Sequence, residues 1–279
     1  MSEVLSVIVP TFQRREDLTQ CLRRLAFDSQ SLDASSYEVI VSDDGQDTLA
    51  EYLKHEFPWV RYQAGPRRGP AANRNSGAKA ARGTWVVFVD DDCLPSREWL
   101  SAYWSAIQSK VARVLEGKTR AVGPRPRADM ESPENTTGGY LWSCNMAIEK
   151  QLFLDLGGFD EQFPGAAMED VELHWRLKEA NIEVQFVPEA EVGHPWRIRK
   201  GMHHIRIIAK SIRYYVDKHP KAWQDFSARS IISNGLRRFA TVLYQQVCVG
   251  CLRGLGRELC LLLYAPFAVF RELYLTTNK

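Results

Sequence analysis

WVVFVDDD, residues 85–92, is a run of β-branched and aromatic residues that ends in three consecutive carboxylates, and it reads as a buried strand with a polar tip. Outward from it, strand and helix signals alternate. VLSVIVP (4–10) is a second β-branched run. From Arg14 to Leu25 the apolar residues Leu18, Cys21, Leu22 and Leu25 recur at helical spacing, and YEVIVS (37–42) is the next strand. A short helix near 48–55, a strand VRYQA (60–64) and an Ala-rich helix over 70–81 lead back to residue 85. Such alternation predicts an α/β fold, a mostly parallel sheet with helices on both faces. Ligands of these sheets bind at the carboxyl ends of the strands, which directs attention to Thr11, Asp43, Asp44, Asp90, Asp91 and Asp92.

Further along, an amphipathic helix over about 96–109 carries Trp99, Leu100, Tyr103, Trp104 and Ile107. GPRPRADMESPENTTGG (123–139) then breaks all periodicity and reads as a loop. A strand NMAI (145–148), a helix ending at Gly157-Gly158, a helix from Glu169 to about Ala180 and a strand IEVQFVP (182–188) follow. After His194 the reading is helical to the end.

With 45% apolar and 25% charged residues among 279, the chain can bury a full core, which excludes a disordered protein. A net charge of +2 gives no reason to expect nucleic acid as a partner. The N-terminus, with an acid at position 3 and an apolar run of about seven residues, does not read as a signal peptide, so a cytoplasmic location is expected. In a reducing compartment six scattered cysteines are buried apolar residues rather than disulfides. The spacing Cys248-x-x-Cys251 can hold zinc, but no second pair follows it and it lies in an apolar helical stretch.

Asp90-Asp91-Asp92 is the strongest chemical signal. On an extended segment side chains alternate, which would point Asp90 and Asp92 to one side, a spacing suited to a hard divalent cation. GPRRGPAANRNSGAKAARG (65–83) adds Arg67, Arg68, Arg74, Lys79 and Arg82 around a helix start near Gly69-Pro70. A helix N-terminus and arginines both favour an anion such as a nucleotide phosphate, although a solvated helix face would look alike.

In order, SVIVPTFQR, VIVSDDG, ANRNSGAKAARGTWVVFVDDD and GGFDEQF…EDVELHWRL resemble the motifs of glycosyltransferase family 2 over about residues 4–196. The last motif also resembles the C-terminal part of galactosyltransferase-type catalytic domains. The resemblance implies a GT-A fold, a Rossmann-like mixed sheet flanked by helices, and transfer from a nucleotide-diphosphate sugar, a UDP-sugar foremost, with a divalent cation, Mn²⁺ or Mg²⁺. It implies that Pro10, Thr11, Arg14, Asp43, Arg74, Asp90 and Asp91 bind the donor, that Asp92 and His194 hold the metal, that Glu169 binds the acceptor, and that Asp170 is the catalytic base of an inverting single displacement. The chemistry suits the types: a hydroxyl is a poor nucleophile until a carboxylate accepts its proton. Taken alone, Glu169 and Asp170 would pass for helix N-terminal acids stabilised by the macrodipole. At Gly165-Ala166-Ala167 the chain departs from the galactosyltransferase pattern, in which an aromatic is frequent. A sugar-phosphate nucleotidyltransferase would want a Gly-rich loop after the first strand, and VPTFQRR has none. A silent nucleotide-sugar-binding scaffold would have no use for Asp90, Asp92, Asp170 and His194 together.

The expected division is a catalytic domain over 1–196 and a helical extension over 197–279. Six basic residues and no acid lie between Arg197 and Arg213, interleaved with isoleucines, a pattern suited to an anionic membrane surface or to closing over a diphosphate. The charge-free runs 239–252 and 259–270 fall short of the roughly 20 residues that span a bilayer, so they suggest interfacial helices or a homodimer contact. A lipid-linked, glycan or small-molecule acceptor fits either.

Overall fold

The computed structural model describes residues 4–45, 48–227, 229–231, 233–234, 236–237, 240 and 253–275. The Cys248-x-x-Cys251 pair and, apart from Ala240, the apolar run 239–252 lie outside them. The chain forms two compact units, one of Met1–Val122, Pro133–Glu161 and Glu169–Pro195, the other of Gly123–Ser132, Gln162–Met168 and Trp196–Lys279.

The first unit is built on β1 (Leu5–Thr11), β2 (Tyr37–Asp43), β3 (Arg61–Ala64), β4 (Trp85–Val89), β5 (Leu94–Pro95), β6 (Val114–Ala121), β8 (Asn145–Glu149) and β9 (Val184–His194), in the spatial order β3-β2-β1-β4-β8-β6-β9-β5. The sheet is mixed. β1, β2, β3 and β4 pair in parallel, as the alternation of strands and helices predicts, but β8 runs antiparallel to both β4 and β6.

Period-two alternation sends successive side chains to opposite faces. Val7, Val9, Val39, Val41, Val87 and Val89 face α1 (Arg15–Leu25) and α4 (Trp99–Gln108), where they meet Leu18, Leu22, Leu25, Trp99 and Tyr103. Ile8, Ile40, Val86 and Phe88 face α3 (Pro70–Ala80), α5 (Lys150–Asp155) and α6 (Glu169–Glu179), where they meet Ala78, Phe153, Leu173 and Leu177. Both faces are therefore dry, and each fully buried Val, Leu or Phe contributes about 1.5–3 kcal/mol. A short helix α2 (Thr48–Glu56) completes this unit.

Two strands of this unit were not legible in the sequence. β5 is only two residues long, and β6, VLEGKTRA, carries Glu116, Lys118 and Arg120 yet lies between β8 and β9 in the sheet. Its parallel register with β9 jumps from Gly117↔Val187 to Lys118↔Glu191, so Pro188, Glu189 and Ala190 bulge out of the ladder. Proline lacks the N–H that an unbroken ladder would need, and it is tolerated at such a bulge. The jump extends β9 beyond residue 188, where its sequence signal ends, and brings His194 opposite Ala121.

Asn145 locks the bulge. Its Nδ2 donates to the carbonyls of Lys118 (2.9 Å) and Ala190 (3.0 Å), and its Oδ1 accepts from Trp99 Nε1 and Tyr103 Oη, both at 2.8 Å. All four bonding positions of this buried amide are thus filled.

The second unit holds a two-stranded antiparallel pair, β7 (Met130–Glu131) with β10 (Arg197–Ile198), and the helices α7 (Met202–Lys218) and α8 (Leu255–Phe270). Residues 123–139 are thus not loop throughout, and the chain makes β10 before it turns helical. Ile205 and Ala209 of α7 pack with Leu261 and Ala268 of α8. The fully buried acids Asp129 and Glu258 are matched by cations, Asp129 by Arg127 (2.8 Å) and Arg257 (3.3 Å), Glu258 by Arg199 (3.0 Å). A Cβ on Gly165 would fall 2.4 Å from Ile207 Cγ2, so an aromatic at that position would have to move the Ile207 side chain. Among the described residues no helix is long and apolar enough to cross a membrane.

At Gly117 a Cβ would fall 2.3 Å from the Ala190 carbonyl and 2.4 Å from Asn145 Nδ2, both held by the bulge. Gly117→Ala is therefore expected to destabilise the chain by about 1–3 kcal/mol. A lowered midpoint in urea denaturation checks this; an unchanged midpoint would show that the bulge can give way.

Candidate active site

The carboxyl ends of β1, β2 and β4 meet the start of α6 and the end of β9 in the first unit. β4 ends at Val89, and the carboxylates that follow occupy a turn closed by the Cys93 N–H donating to the Asp90 carbonyl at 3.0 Å. Strand alternation consequently does not govern their directions. Asp91 is taken by Thr11, whose hydroxyl donates to Oδ2 at 2.7 Å, and by Arg14, whose Nη1 lies 2.9 Å from Oδ1. The same Arg14 nitrogen lies 3.3 Å from Asp92 Oδ2. Asp90 pairs instead with Arg74, its Oδ1 2.6 Å from Nη2.

Arg74 comes from the middle of α3, a helix of small residues, and is only 5% exposed. Its Nη1 reaches Glu169 Oε1 at 3.3 Å, so one guanidinium bridges the turn after β4 and the first residue of α6. Burial works against charge on Arg74, but Asp90 and Glu169 outweigh it and raise its pKa. Burial likewise works to raise Asp90, and Arg74 overcomes it, holding that carboxyl below the ordinary range. Glu169 has the opposite outcome: burial and then the charge of Asp170 push it up to about 7. The longer contact to Arg74 and the adjacent acid explain the difference. Asp91 is pushed up to about 7, chiefly by burial, in spite of Arg14 and Thr11.

Asp170 stands next to Glu169 in the first turn of α6. Its Oδ1 accepts from the Val171 N–H at 2.8 Å, and its Oδ2 lies 3.5 Å from the Ser143 N–H. Burial raises its pKa. A carboxylate with a raised pKa is a stronger proton acceptor than a free one.

His194, the last residue of β9, brings Nε2 to 3.5 Å from Asp92 Oδ1. Its Nδ1 lies 2.9 Å from the Pro195 carbonyl, an atom that only accepts. That contact at Nδ1 fixes the ring with Nε2 turned toward Asp92, an orientation common in metal-ligating histidines. Donor atoms of Asp92, Cys93 and His194 all lie within 4.8 Å of one another. The Cys93 thiol points to the Cys144 carbonyl at 3.8 Å, and that neighbour and burial push its pKa well up, so it stays protonated. One carboxylate and one imidazole fit a hard or borderline divalent cation that completes its coordination with phosphate oxygens and water.

The structure thus gathers Thr11, Arg14, Arg74, Asp90, Asp91, Asp92, Glu169, Asp170 and His194, while Pro10 is a buried residue of β1 next to Thr11. Asp43 lies opposite Thr11 in the β1–β2 register, its Oδ1 accepting from the Gly45 N–H at 2.8 Å. Sequence reasoning missed the work of Asp44, which accepts from the N–H groups of Arg67 and Gly69 and so shapes the loop before α3. It also missed Asn73, which donates to the carbonyls of Thr11 and Ser42 and ties α3 to β1 and β2. The duplicated acid in SDDG and the asparagines of ANRNSG were the available signals.

Residues 6–175 match Glycosyl transferase family 2, and residues 141–227 match Glycosyltransferase like family 2. The chain belongs to glycosyl transferase family 2. This family 2 chain is 24% identical over 210 residues to the glycosyltransferase AglE of Haloferax volcanii, covering 69% of this chain and 67% of AglE. It spans between 42% and 67% of the length of the curated relatives that it first matches. Its fold is that of GT-A glycosyltransferases. S. aureus TarS 1–349 in complex with UDP-GlcNAc superposes with a TM-score of 0.58 at 18% identity, over 97% of this chain and 89% of that one. Mannosyltransferase PcManGT from Pyrobaculum calidifontis, in complex with GDP-Man and Mn²⁺, gives 0.63 at 15% identity, over 99% and 89%.

Two outcomes are expected of the buried charges. Arg74→Met leaves Asp90 and Glu169 without their cation and costs about 3–5 kcal/mol in chemical denaturation; a loss below 1 kcal/mol would mean that the bridge is weak. Because Glu169 is raised from an ordinary 4.5 to about 7, the folded state holds a proton that the unfolded chain has released between those values. Wild-type stability therefore falls as pH rises through this window. Glu169→Gln lacks that loss, so denaturation across the window should show the difference moving in favour of the variant.

Proposed function

We propose that this chain transfers a sugar from a nucleotide-diphosphate donor, a UDP-sugar foremost, to an acceptor hydroxyl with inversion at the anomeric carbon. The observation that carries this reading is the Arg74 bridge, which ties Asp90 in the turn after β4 to Glu169 beside Asp170. A leaving-group site and a base must be held in fixed relation for a single displacement, and one buried guanidinium does so. The nucleotide complexes of TarS and PcManGT support the donor class, and the Mn²⁺ of PcManGT supports a divalent cation.

In this reading Asp43 receives the nucleobase, Pro10, Thr11, Arg14 and Arg74 line the nucleotide side, and Asp90 and Asp91 shape the turn that faces the ribose and diphosphate. Glu169 holds the acceptor. Asp170 takes the proton of the attacking hydroxyl, its carboxylate oriented by the N–H groups of Val171 and Ser143. Asp92 and His194 would hold Mn²⁺ or Mg²⁺, which would supply positive charge to the departing diphosphate. The catalytic part is residues 1–196. The extension 197–279 makes a peripheral contact with a cytoplasmic membrane face, supported by the basic run of α7 and by Leu263 and Phe267, exposed on α8. A lipid-linked or glycan acceptor would meet the enzyme there.

The test is nucleotide-diphosphate release across UDP-, GDP- and dTDP-sugars with Mn²⁺ or Mg²⁺. Release from one donor, abolished by EDTA and reduced about 10²–10⁴-fold in Asp170→Asn, is the expected result. Asp92→Ala should require far more metal for whatever rate remains. Nucleotide binding with no turnover of any donor, cell-extract acceptors included, would replace this reading with a silent nucleotide-sugar scaffold.

A further inference from the structure

The segment from Gly138 to Ser143 is built unlike an ordinary surface loop. The N–H groups of Gly139, Tyr140 and Leu141 all donate to the carboxylate of Glu116, the last two at 3.1 and 2.8 Å, and Asn135 Nδ2 adds a fourth bond at 3.0 Å. Glu116 is 2% exposed. A buried carboxylate that spends its lone pairs on successive backbone N–H groups fixes that backbone. Gly138 and Gly139 take φ of +81° and +97°, and Leu141, a residue with a Cβ, is held at +50° with its side chain fully buried. Backbone in this region persists only where its surroundings impose it, and such positions cluster at functional sites.

What this backbone presents is aromatic. The Tyr140 ring is 49% exposed and lies 4.9 Å from the half-buried Trp142 ring at an angle of 39°. The next residue is Ser143, whose N–H faces Asp170. The same glycines line a cavity of about 380 Å³ together with His174, Lys178 and Phe186. That volume falls within the range of about 300–1,000 Å³ typical of small-molecule sites. His174 and Lys178 stand one and two turns beyond Asp170 on α6, so the three share one helix face.

We propose that Tyr140 is the platform on which a sugar ring of the acceptor stacks, and that the acceptor is an oligosaccharide whose next ring continues along α6 into this cavity. The inference rests on the reading of Asp170 as the base. A pyranose has one face of C–H groups and a rim of hydroxyls, a match for an exposed aromatic ring with polar groups at its border. The oxygen that reacts must reach Asp170, and the ring that carries it would then lie beside the segment that also delivers the Ser143 N–H. Trp142 buttresses the platform. Lys178 and His174 offer donors for the hydroxyls of the second ring. Gly165-Ala166-Ala167 departs from the galactosyltransferase pattern in which an aromatic is frequent, and Tyr140 supplies a ring from another segment.

The experiment measures transfer to p-nitrophenyl mono- and disaccharides from the donor that the enzyme turns over, in wild type, Tyr140→Ala and Tyr140→Phe. In Tyr140→Ala the acceptor KM should rise about tenfold with little change in donor KM. Tyr140→Phe should restore it, because the ring and not the hydroxyl does the stacking. Wild type should prefer disaccharides, and Lys178→Ala should reduce that preference. An unchanged acceptor KM in Tyr140→Ala, or an equal rise in donor KM, would overturn the proposal. Should wild type turn over no donor, the transferase reading fails by itself, and tryptophan fluorescence titrated with the same glycosides tests the platform separately. Binding lost in Tyr140→Ala and kept in Tyr140→Phe supports it; no binding to wild type overturns it.

Discussion

A guanidinium buried among carboxylates is the constraint around which the first unit is arranged. Asp90, Asp91, Asp92, Glu169 and Asp170 come from two places far apart in the chain, and with Arg74 and Arg14 as their cations they would repel one another if either arginine withdrew. Arg74 is suited to the task because its planar fork addresses two carboxylates at once and cannot shed its proton, whereas a lysine ammonium is a point charge that burial can neutralise. It lies closer to Asp90, at 2.6 Å, which it holds below the ordinary carboxylate range, than to Glu169, at 3.3 Å, which burial and the charge of Asp170 push up in spite of it. Arg74 thus fixes the position of both acids, while burial and Asp170 separate their protonation.

Delivering His194 is the second requirement, and it is met by an irregularity. A regular β6–β9 ladder would carry β9 past β6 in a single register, but the bulge at residues 188–190 absorbs three residues before pairing resumes. Asn145 holds both sides of that discontinuity and is itself held by the side chains of Trp99 and Tyr103 on α4. The packing of one face of the sheet is in this way connected to the placement of an imidazole at the end of a strand.

Much of the first unit was legible: β1, β2 and β4 as runs of β-branched residues, α1 from its helical spacing and α3 from its alanines. β6 was not, because VLEGKTRA owes its place to pairing with β8 and β9 and its one buried acid to the loop N–H groups that it collects. The alternation argument for Asp90 and Asp92 failed since the triplet lies beyond the strand, where a turn sets directions. Family motifs named Asp92, His194, Glu169 and Asp170; in the structure His194 lies beside Asp92, and Arg74 joins Asp90 to Glu169. The roles of Asp44, Asn73, Asn145 and Glu116 went unread because each acts on backbone atoms, and sequence carries no mark of which backbone groups a side chain will meet.

Glu116 has a consequence for how such a chain diverges. It grips residues 139–141 solely through their main-chain N–H groups, so the geometry of the segment does not depend on which side chain stands at position 140. Most surface loops keep their shape by side-chain packing, and exchanging those side chains costs order. Here the residue displayed to a ligand and the contacts that hold the display are different atoms, which leaves a lineage free to exchange what it recognises at this place while its folding stays the same.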